Sequence, residues 1–291
     1  MRVTSPEIKA SFPVRRMDYD FAYDQRYWIA NDPATTHYFT ALSLLFPEGE
    51  KYFVEAVRAV RGLIKDHPQL DKDIGAFIGQ EAMHSKEHHA FHLAAAKTGL
   101  DPASLEKMVG DVLAKYFTFQ SKQLNLAITV GLEHFTAVMV VKMMKDTADK
   151  MSDDTIRDLW LWHSIEETEH KAVAFDVYQQ IYGDDVGSYA VRVAMFGLGV
   201  FALFAMQSNM MARLMYRDKQ LLNIKSWRKF GGLMREGFGE MTPKFLEYFR
   251  RDFHPNQHDD STLVALTKQK IGLSAARQAL PYVEQAHVVL S

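Results

Sequence analysis

The sequence predicts an all-α protein, and two observations support this prediction. Apolar residues recur at the helical spacing of three or four positions, as Ile74, Phe77, Ile78 and Met83 do. Alternating apolar and polar residues, which would indicate a half-buried strand, do not extend over a useful length. We therefore expect a protein built from packed helices.

Capping residues, prolines and glycines indicate where the helices begin and end. Asp32 and Asp101 each precede a proline, the usual order of an N-cap and a first helical residue. Ser152 is a further expected N-cap, and Gly99 and Gly183 follow the ends of helical patterns. The predicted helices cover residues 33–46, 47–65, 70–97, 102–150 with a break near 118–121, and 152–182.

One short pattern of metal-binding residue types occurs on two of these helices. Glu81 and His84 are three residues apart, and so are Glu167 and His170. Residues at this spacing face the same side of a helix, so each pair can offer one metal a carboxylate and an imidazole. Two such helices can hold two metal ions.

A single glutamate precedes each pair on the helix before it. These glutamates are Glu50 and Glu133, and each interval fits two helices joined by a short loop. Glu133 lies among apolar residues, and a buried carboxylate needs a partner or a metal. Glu50 lies near a helix start, where a solvent-exposed acid would be equally ordinary. The order of these ligands matches the known pattern of carboxylate-bridged di-iron bundles.

His163 adds a third histidine to this pattern. With Glu167 and His170 it occupies positions i, i+4 and i+7 of one helix, which form a narrow stripe. A histidine between Trp160 and Trp162 could equally be a hydrogen-bonded core residue. The expected metal ligands are Glu50, Glu81, His84, Glu133, His163, Glu167 and His170.

With these ligands the chain resembles the ferritin-like di-iron oxygenases. Its His-x-x-x-Glu-x-x-His segment is similar to the histidine-rich centre of the arylamine N-oxygenase family. Residues 46–50 and 248–255 look more like a bacterial family described as predicted metal-dependent hydrolases. The first resemblance implies a ferritin-like four-helix bundle with additional C-terminal helices, two iron ions, with manganese as the alternative metal, and O₂ as co-substrate.

The same resemblance implies a set of residues that orient the ligands. Gln80 and Glu166, each directly before a ligand glutamate, resemble residues that hold the opposite histidine in di-iron proteins. His88 continues the stripe of Glu81 and His84 by one turn, so we expect it to hydrogen bond to a ligand rather than to bind metal.

Composition narrows the chemistry and the partners. The chain of 291 residues carries 34 basic and 36 acidic residues, a balance that gives no support to nucleic acid as a partner. Without cysteine, any metal must be held by nitrogen and oxygen. No apolar segment of the secretory type follows Arg15 and Arg16, so we expect a cytoplasmic location.

We divide the chain into four regions. They are an N-terminal extension (1–32), a four-helix metal-binding bundle (33–183), accessory helices packed on the bundle or at a subunit interface (184–253) and a peripheral C-terminal segment (254–291).

The accessory region contains a long apolar run. Residues 193–206 are all apolar or glycine, but a membrane-spanning helix needs about 20 such residues. We expect a buried or subunit-facing helix in a homodimer, with Ala190, Ala194 and Gly197 allowing close helix approach. Membrane contact is the less favoured alternative.

Three functions remain open from the sequence. The leading one is a di-iron oxidase or oxygenase that uses O₂ on an apolar small molecule and draws on an external electron donor. The second is a metal-dependent hydrolase whose two metals activate water. The third is a non-catalytic iron-binding protein. A hydrolase would work with zinc or manganese without consuming oxygen, whereas an iron-storage protein would assemble into a shell.

Overall fold

The computed structural model describes residues 9–64 and 66–273, and its regular structure is helical. These residues contain no β-strand, and their β-structure is confined to single bridge residues such as the pair Ile29 and Met151. The all-α fold class is therefore confirmed. The α-helices of the described residues are α1 (Pro33–Ser43), α2 (Phe46–Arg61), α3 (Pro68–Ala95), α4 (Pro102–Val112), α5 (Lys122–Lys142), α6 (Asp154–His170), α7 (Val173–Tyr182), α8 (Val186–Arg217), α9 (Ile224–Glu247) and α10 (Ser261–Lys270).

Four of these helices form the central bundle. Helix α2 packs against α3 and α5, and α6 packs against the same two helices. One large apolar core, in which Phe77, Leu126 and Leu161 are fully buried, connects them. Helices α1 and α8 pack beside the bundle, with α8 against both α1 and α5. The four-helix arrangement agrees with the sequence prediction, and its classification as ferritin-like stays a prediction.

Most predicted helix boundaries agree with the structure. Asp32 caps α1 by accepting a hydrogen bond from Thr35 N at 2.9 Å. Asp101 caps α4 in the same way, since its carboxylate accepts from Ser104 N at 3.2 Å. The predicted break near residues 118–121 lies between a π-helical turn, Leu113–Phe117, and the start of α5.

Two predictions about helix continuity are wrong. The predicted helix 152–182 is divided into α6 and α7 by a turn after His170, and its N-cap is Asp153 rather than Ser152. No glycine or proline marks this turn in the sequence. The segment expected to be helical up to Lys150 leaves the α-helical path after Lys142 and continues as a π turn and a 3₁₀ turn.

Residues 9–32 form an irregular segment, here called the N-terminal strap, that packs on the bundle. Trp28 and Ile29 are fully buried, and Val14 is 1% exposed. Val14 contacts α3 at Gly79, where a β-carbon would lie 2.7 Å from a methyl group of Val14. The strap is therefore part of the core, although the sequence suggested an extension to the bundle.

Helix α8 has one packed face and one exposed face. A β-carbon on Gly131 of α5 would lie 2.8 Å from the Cα of Phe196, so these two helices touch at backbone distance. The small residues expected to allow close helix approach, Ala190, Ala194 and Gly197, lie on the exposed face and not against α5. Phe201 lies among the exposed residues of α8 with 70% of its surface accessible. A homodimer through this face stays a prediction.

Within residues 9–64 and 66–273, two helical segments are long and apolar enough to cross a membrane, judged by length and composition alone. Residues 122–150 belong to the bundle, and 67% of their most apolar window is buried. Residues 186–217 form α8, and 22% of the most apolar window of this helix is buried. The apolar run 193–206 therefore lies within a helix of 32 residues, longer than the run itself. Membrane contact and the cytoplasmic location stay predictions.

The contact between α5 and α8 predicts the effect of a matched pair of substitutions. Gly131→Ala should lower the free energy of unfolding by about 1–3 kcal/mol, because its new methyl group meets the backbone of Phe196. Gly197→Ala, with nothing within 4 Å, should raise it by up to about 1 kcal/mol through helix propensity. Urea denaturation followed by circular dichroism measures both. Equal stabilities would contradict the described packing.

Candidate metal centre

All seven expected ligand side chains lie together at the centre of the four-helix bundle. Each of the seven residues is 3% exposed or less. Helix α2 carries Glu50, α3 carries Glu81 and His84, α5 carries Glu133, and α6 carries His163, Glu167 and His170. Residues from four helices thus converge because each helix turns its polar stripe inward.

The donor atoms of these side chains fall into three groups, within each of which the atoms lie less than 4.8 Å from one another. Two groups share no residue, so they define two separate positions for a cation. The first consists of Glu50, His84 and His163, and the second of Glu81, Glu133 and His170. The third group, Glu81, His84 and Glu167, takes one residue from each of the others and connects the two positions.

Glu167 occupies the middle of the cluster. Its Oε1 lies 3.6 Å from His84 Nδ1, 3.2 Å from His163 Nε2 and 3.5 Å from His170 Nε2. This carboxylate oxygen, surrounded by three imidazoles, would be among the donor atoms that hold a cation here. Glu81 approaches the same region, with Oε1 3.0 Å from His170 Nε2.

Many of these donor atoms make no well-directed hydrogen bond within the described part of the chain. They are Glu50 Oε1, both oxygens of Glu81, both oxygens of Glu133, Glu167 Oε2, both nitrogens of His84, and His170 Nε2. Burying an unpaired polar atom is costly, and burying an unpaired charge is more costly still. Divalent cations bound by oxygen and nitrogen would satisfy these atoms, so the residues fit a dinuclear metal centre.

The pKa values of the clustered carboxyl groups reflect this crowding of charge. Burial, followed by the charges of Glu81 and Glu167, raises the pKa of Glu50 well above its usual range. Burial and the charge of Glu167 do the same to the pKa of Glu133. Although burial opposes it, His170 and His163 hold the pKa of Glu167 well below its ordinary value. Binding of cations would therefore displace protons from carboxyl groups.

Glu166 lies behind His84, as the sequence analysis expected. Its Oε2 is 3.2 Å from His84 Nε2, which leaves His84 Nδ1 facing Glu167. Glu166 Oε1 accepts a hydrogen bond from Arg15 of the N-terminal strap at 2.8 Å. Burial raises the pKa of Glu166 to about 8, and Arg15 opposes this shift. Arg15 also bonds both oxygens of Glu169, at 2.7 and 2.8 Å.

Gln80 lies behind His170. Its Oε1 accepts from His170 Nδ1 at 2.8 Å, while its Nε2 donates to the carbonyl oxygen of Pro13 and to Glu169. These two acceptors fix the orientation of the amide, because only its nitrogen can donate. His170 therefore carries a proton on Nδ1 and turns Nε2 toward Glu81.

His88 lies behind His163, with its Nε2 2.9 Å from His163 Nδ1. The three residues expected to orient the ligands thus each contact a different histidine of the cluster. Sequence reasoning missed most of the residues that lie beyond these three, because their contacts join parts of the chain that are distant in sequence. They are Ser43, Glu106, Arg15 and Glu169.

The geometry defines a buried cluster of carboxylates and imidazoles that can hold metal ions. A family model described as predicted metal-dependent hydrolase matches residues 13–259, more than four-fifths of the chain. The chain therefore belongs to the predicted metal-dependent hydrolase family, and the resemblance to it found in the sequence is confirmed. The matched region includes the seven clustered residues. No curated protein and no solved structure matches the chain.

Replacing Glu133 with methionine should distinguish a ligand from a structural residue. The second metal ion should be lost, because Glu133 belongs to one of the two separate donor groups. The metal-free variant should be more stable by about 1–3 kcal/mol, since an apolar side chain replaces a buried carboxyl without a hydrogen bond. Inductively coupled plasma mass spectrometry measures the metal content, and urea denaturation measures the free energy of unfolding.

Glu48→Met on α2 is the control for this substitution, because Glu48 lies outside the cluster and is partly exposed. It should leave the metal content unchanged. Two bound metals per chain in Glu133→Met would rule out Glu133 as a required ligand.

Proposed function

We propose that this protein is a dinuclear iron enzyme that uses O₂ to oxidise an apolar small molecule. The convergence of four carboxylates and three imidazoles at the bundle centre, with many donor atoms lacking hydrogen bonds, is the observation that carries the proposal. A set of oxygen and imidazole ligands without thiolates suits iron or manganese. Two ferrous ions bound there would supply two electrons to O₂.

The roles of the protein residues follow from their positions. Glu167 lies between the two donor groups and would contribute its carboxylate to cations bound there. His84, His163 and His170 would each present one nitrogen inward, because their other nitrogens face Glu166, His88 and Gln80. The surrounding helices bury the cluster almost completely, which keeps bulk water from the reacting groups.

An apolar pocket borders the cluster at Glu50 and supports an apolar substrate. It lies between α2, α4, α5 and α8. Its walls are almost entirely hydrocarbon, with Phe53, Leu132 and Met206 among the lining residues. Apolar pockets of this kind bind molecules through burial of hydrocarbon surface. A substrate in this pocket would have one end beside Glu50.

Glu50 is held in place at the inner end of the pocket. Its Oε2 accepts a hydrogen bond from Ser85 Oγ at 2.9 Å, while its Oε1 makes no hydrogen bond. Oε1 also lies 3.9 Å from His163 Nε2. Ser85 therefore leaves one carboxylate oxygen directed to the cluster, at the point where the pocket and the donor groups meet.

Electron balance defines a further partner. Inserting one oxygen atom of O₂ into a substrate and reducing the other to water consumes two electrons and two protons. If two bound ferrous ions supplied the electrons for one turnover, the next turnover would need two more electrons from outside the protein. An external electron donor therefore belongs to this proposal.

Hydrolysis is the second candidate, and the family description favours it. Two metals in the same donor groups would lower the pKa of a bound water and polarise a carbonyl or phosphoryl oxygen. The substrate would then need a polar, cleavable bond next to Glu50. The apolar pocket favours either enzyme over a non-catalytic iron-binding protein, since storage of iron requires no site for an organic molecule.

Oxygen consumption tests the proposed function. Protein freed of metal and reconstituted anaerobically with Fe(II) should bind two iron ions per chain. Exposure to O₂ should then oxidise both ions, because the proposed chemistry transfers one electron from each. An oxygen electrode and Mössbauer spectroscopy follow the reaction, and Glu133→Met serves as the variant with an incomplete centre.

A contrary result would favour hydrolysis. It would consist of iron that stays ferrous in air, together with cleavage of ester or amide compounds by the zinc-loaded protein. Cleavage would have to be absent from Glu133→Met to be assigned to the cluster.

Filling the pocket tests the substrate class. Ala202→Phe should abolish binding of a fluorescent fatty acid, because Ala202 lines the pocket and is 6% exposed. Ala194→Phe places the same side chain on the exposed face of α8 and should leave binding unchanged. Fluorescence titration measures affinity, and both variants should keep the metal content of the original protein. Unchanged binding in Ala202→Phe would exclude this pocket.

A further inference from the structure

A hydrogen-bond chain of buried polar side chains connects the candidate metal centre to Glu106 on α4. Its members bond in the order His163, His88, Ser43, His92 and Glu106. His88, Ser43 and His92 are fully buried. The four contacts are short, at 2.9, 2.7, 2.7 and 2.6 Å along this order. Three helices, α1, α3 and α4, therefore contribute to a network behind one ligand on α6.

Glu106 sets the direction of the hydrogen bonds at the outer end. Burial works to raise the pKa of Glu106, but His92 and His89 hold it below its ordinary value, so the group is a carboxylate. A carboxylate only accepts hydrogen bonds. His92 must therefore donate to it from Nδ1. Burial lowers the pKa of His92, so its Nε2 carries a lone pair and accepts from Ser43.

Ser43 determines the direction of the two inner hydrogen bonds, those made by His88. Its hydroxyl has a single proton, which it donates to His92, so its oxygen accepts from His88 Nδ1. A doubly protonated His88 would be a fully buried cation without a carboxylate at either nitrogen, which is costly. His88 Nε2 therefore accepts from His163 Nδ1.

We propose that Glu106 is a positioning residue that fixes the tautomer of His163 through His92, Ser43 and His88. The Nδ1–H tautomer of His163 leaves the lone pair of Nε2 directed at Glu167 and Glu50, where a metal can use it. This inference rests on the proposed dinuclear centre for its function. The hydrogen-bond directions themselves hold in the metal-free protein.

The same chain explains why a buried serine lies at the end of α1. A hydroxyl is the smallest group that accepts from one imidazole and donates to another, and Ser43 does both at 2.7 Å. Alanine here would leave His88 Nδ1 and His92 Nε2 without partners in a dry interior. The positions of α1 and α4 against the bundle thus determine the state of a ligand on α6.

Nitrogen NMR of the metal-free protein tests the proposal directly. With ¹⁵N-labelled histidine, long-range proton–nitrogen correlations show which ring nitrogen carries the proton. His163, His88 and His92 should all be Nδ1–H tautomers, the form that free histidine in water disfavours. Loss of signals in single His→Gln variants assigns them. An Nε2–H tautomer at His163 would overturn the proposal.

Two substitutions interrupt the chain at different points. Glu106→Gln keeps the shape of the side chain, but the new amide can donate hydrogen bonds as well as accept them. His92 and His163 should therefore both become mixtures of tautomers. Ser43→Ala should leave His92 as Nδ1–H, because Glu106 still accepts from it, while His88 and His163 change. His89→Gln is the control. His89 is 46% exposed and bonds Glu106, but it does not belong to the hydrogen-bond chain from His163 to Glu106. Its replacement should therefore change none of these tautomers.

Cobalt binding separates this proposal from the proposed function. Glu106→Gln and Ser43→Ala should weaken one of two Co(II) sites by about 10–100-fold in calorimetric titration, and His89→Gln should not. Absence of metal binding to the original protein would refute the dinuclear centre and leave the tautomer result standing. An unchanged His163 tautomer in both variants, with normal cobalt binding, would refute the positioning role alone. If Glu106→Gln fails to fold, Ser43→Ala carries the same test.

Discussion

The interior of this protein is organised around carboxylates and imidazoles that the fold buries without enough hydrogen bonds. Both carboxylate oxygens of Glu81 and of Glu133 are buried without a hydrogen bond to the residues that the structure describes. Glu167 lies within 3.6 Å of three histidines. Such an arrangement is unfavourable for a protein that has nothing to bind there. The stability that the apolar core provides is used in part to hold these groups together, as is typical of functional sites.

The elements outside the bundle can be understood as supports for the three histidines. Each histidine has one nitrogen facing Glu167 and the other facing a partner. These partners connect to different elements: Glu166 to the N-terminal strap, Gln80 to the strap and α6, and His88 to α1 and α4. Helices that contribute no side chain to the cluster therefore still fix the orientation of its histidines, on which the binding of a metal would depend.

The sequence predicted the helices and the seven clustered residues because both depend on short-range spacing. Glu81 and His84 share a helix face whatever the rest of the chain does. Ser43 and Glu106 could not be predicted, since their roles arise from contacts between helices distant in sequence. The turn between α6 and α7 was missed for a related reason, because no residue that disfavours helix marks it. Which face of α8 would be exposed could not be predicted either, as the exposed position of Gly197 shows.

The contact between Arg15 and Glu166 joins two parts of the chain that are 151 positions apart. Bringing such distant residues together costs conformational entropy, and long-range contacts of this kind slow the folding of a domain. The strap packs on α3 through Val14 and bonds α6 through Arg15, so its docking surface exists only where these two helices lie side by side. Any separation of α3 from α6 would therefore release the strap, which couples the order of residues 9–32 to the integrity of the bundle.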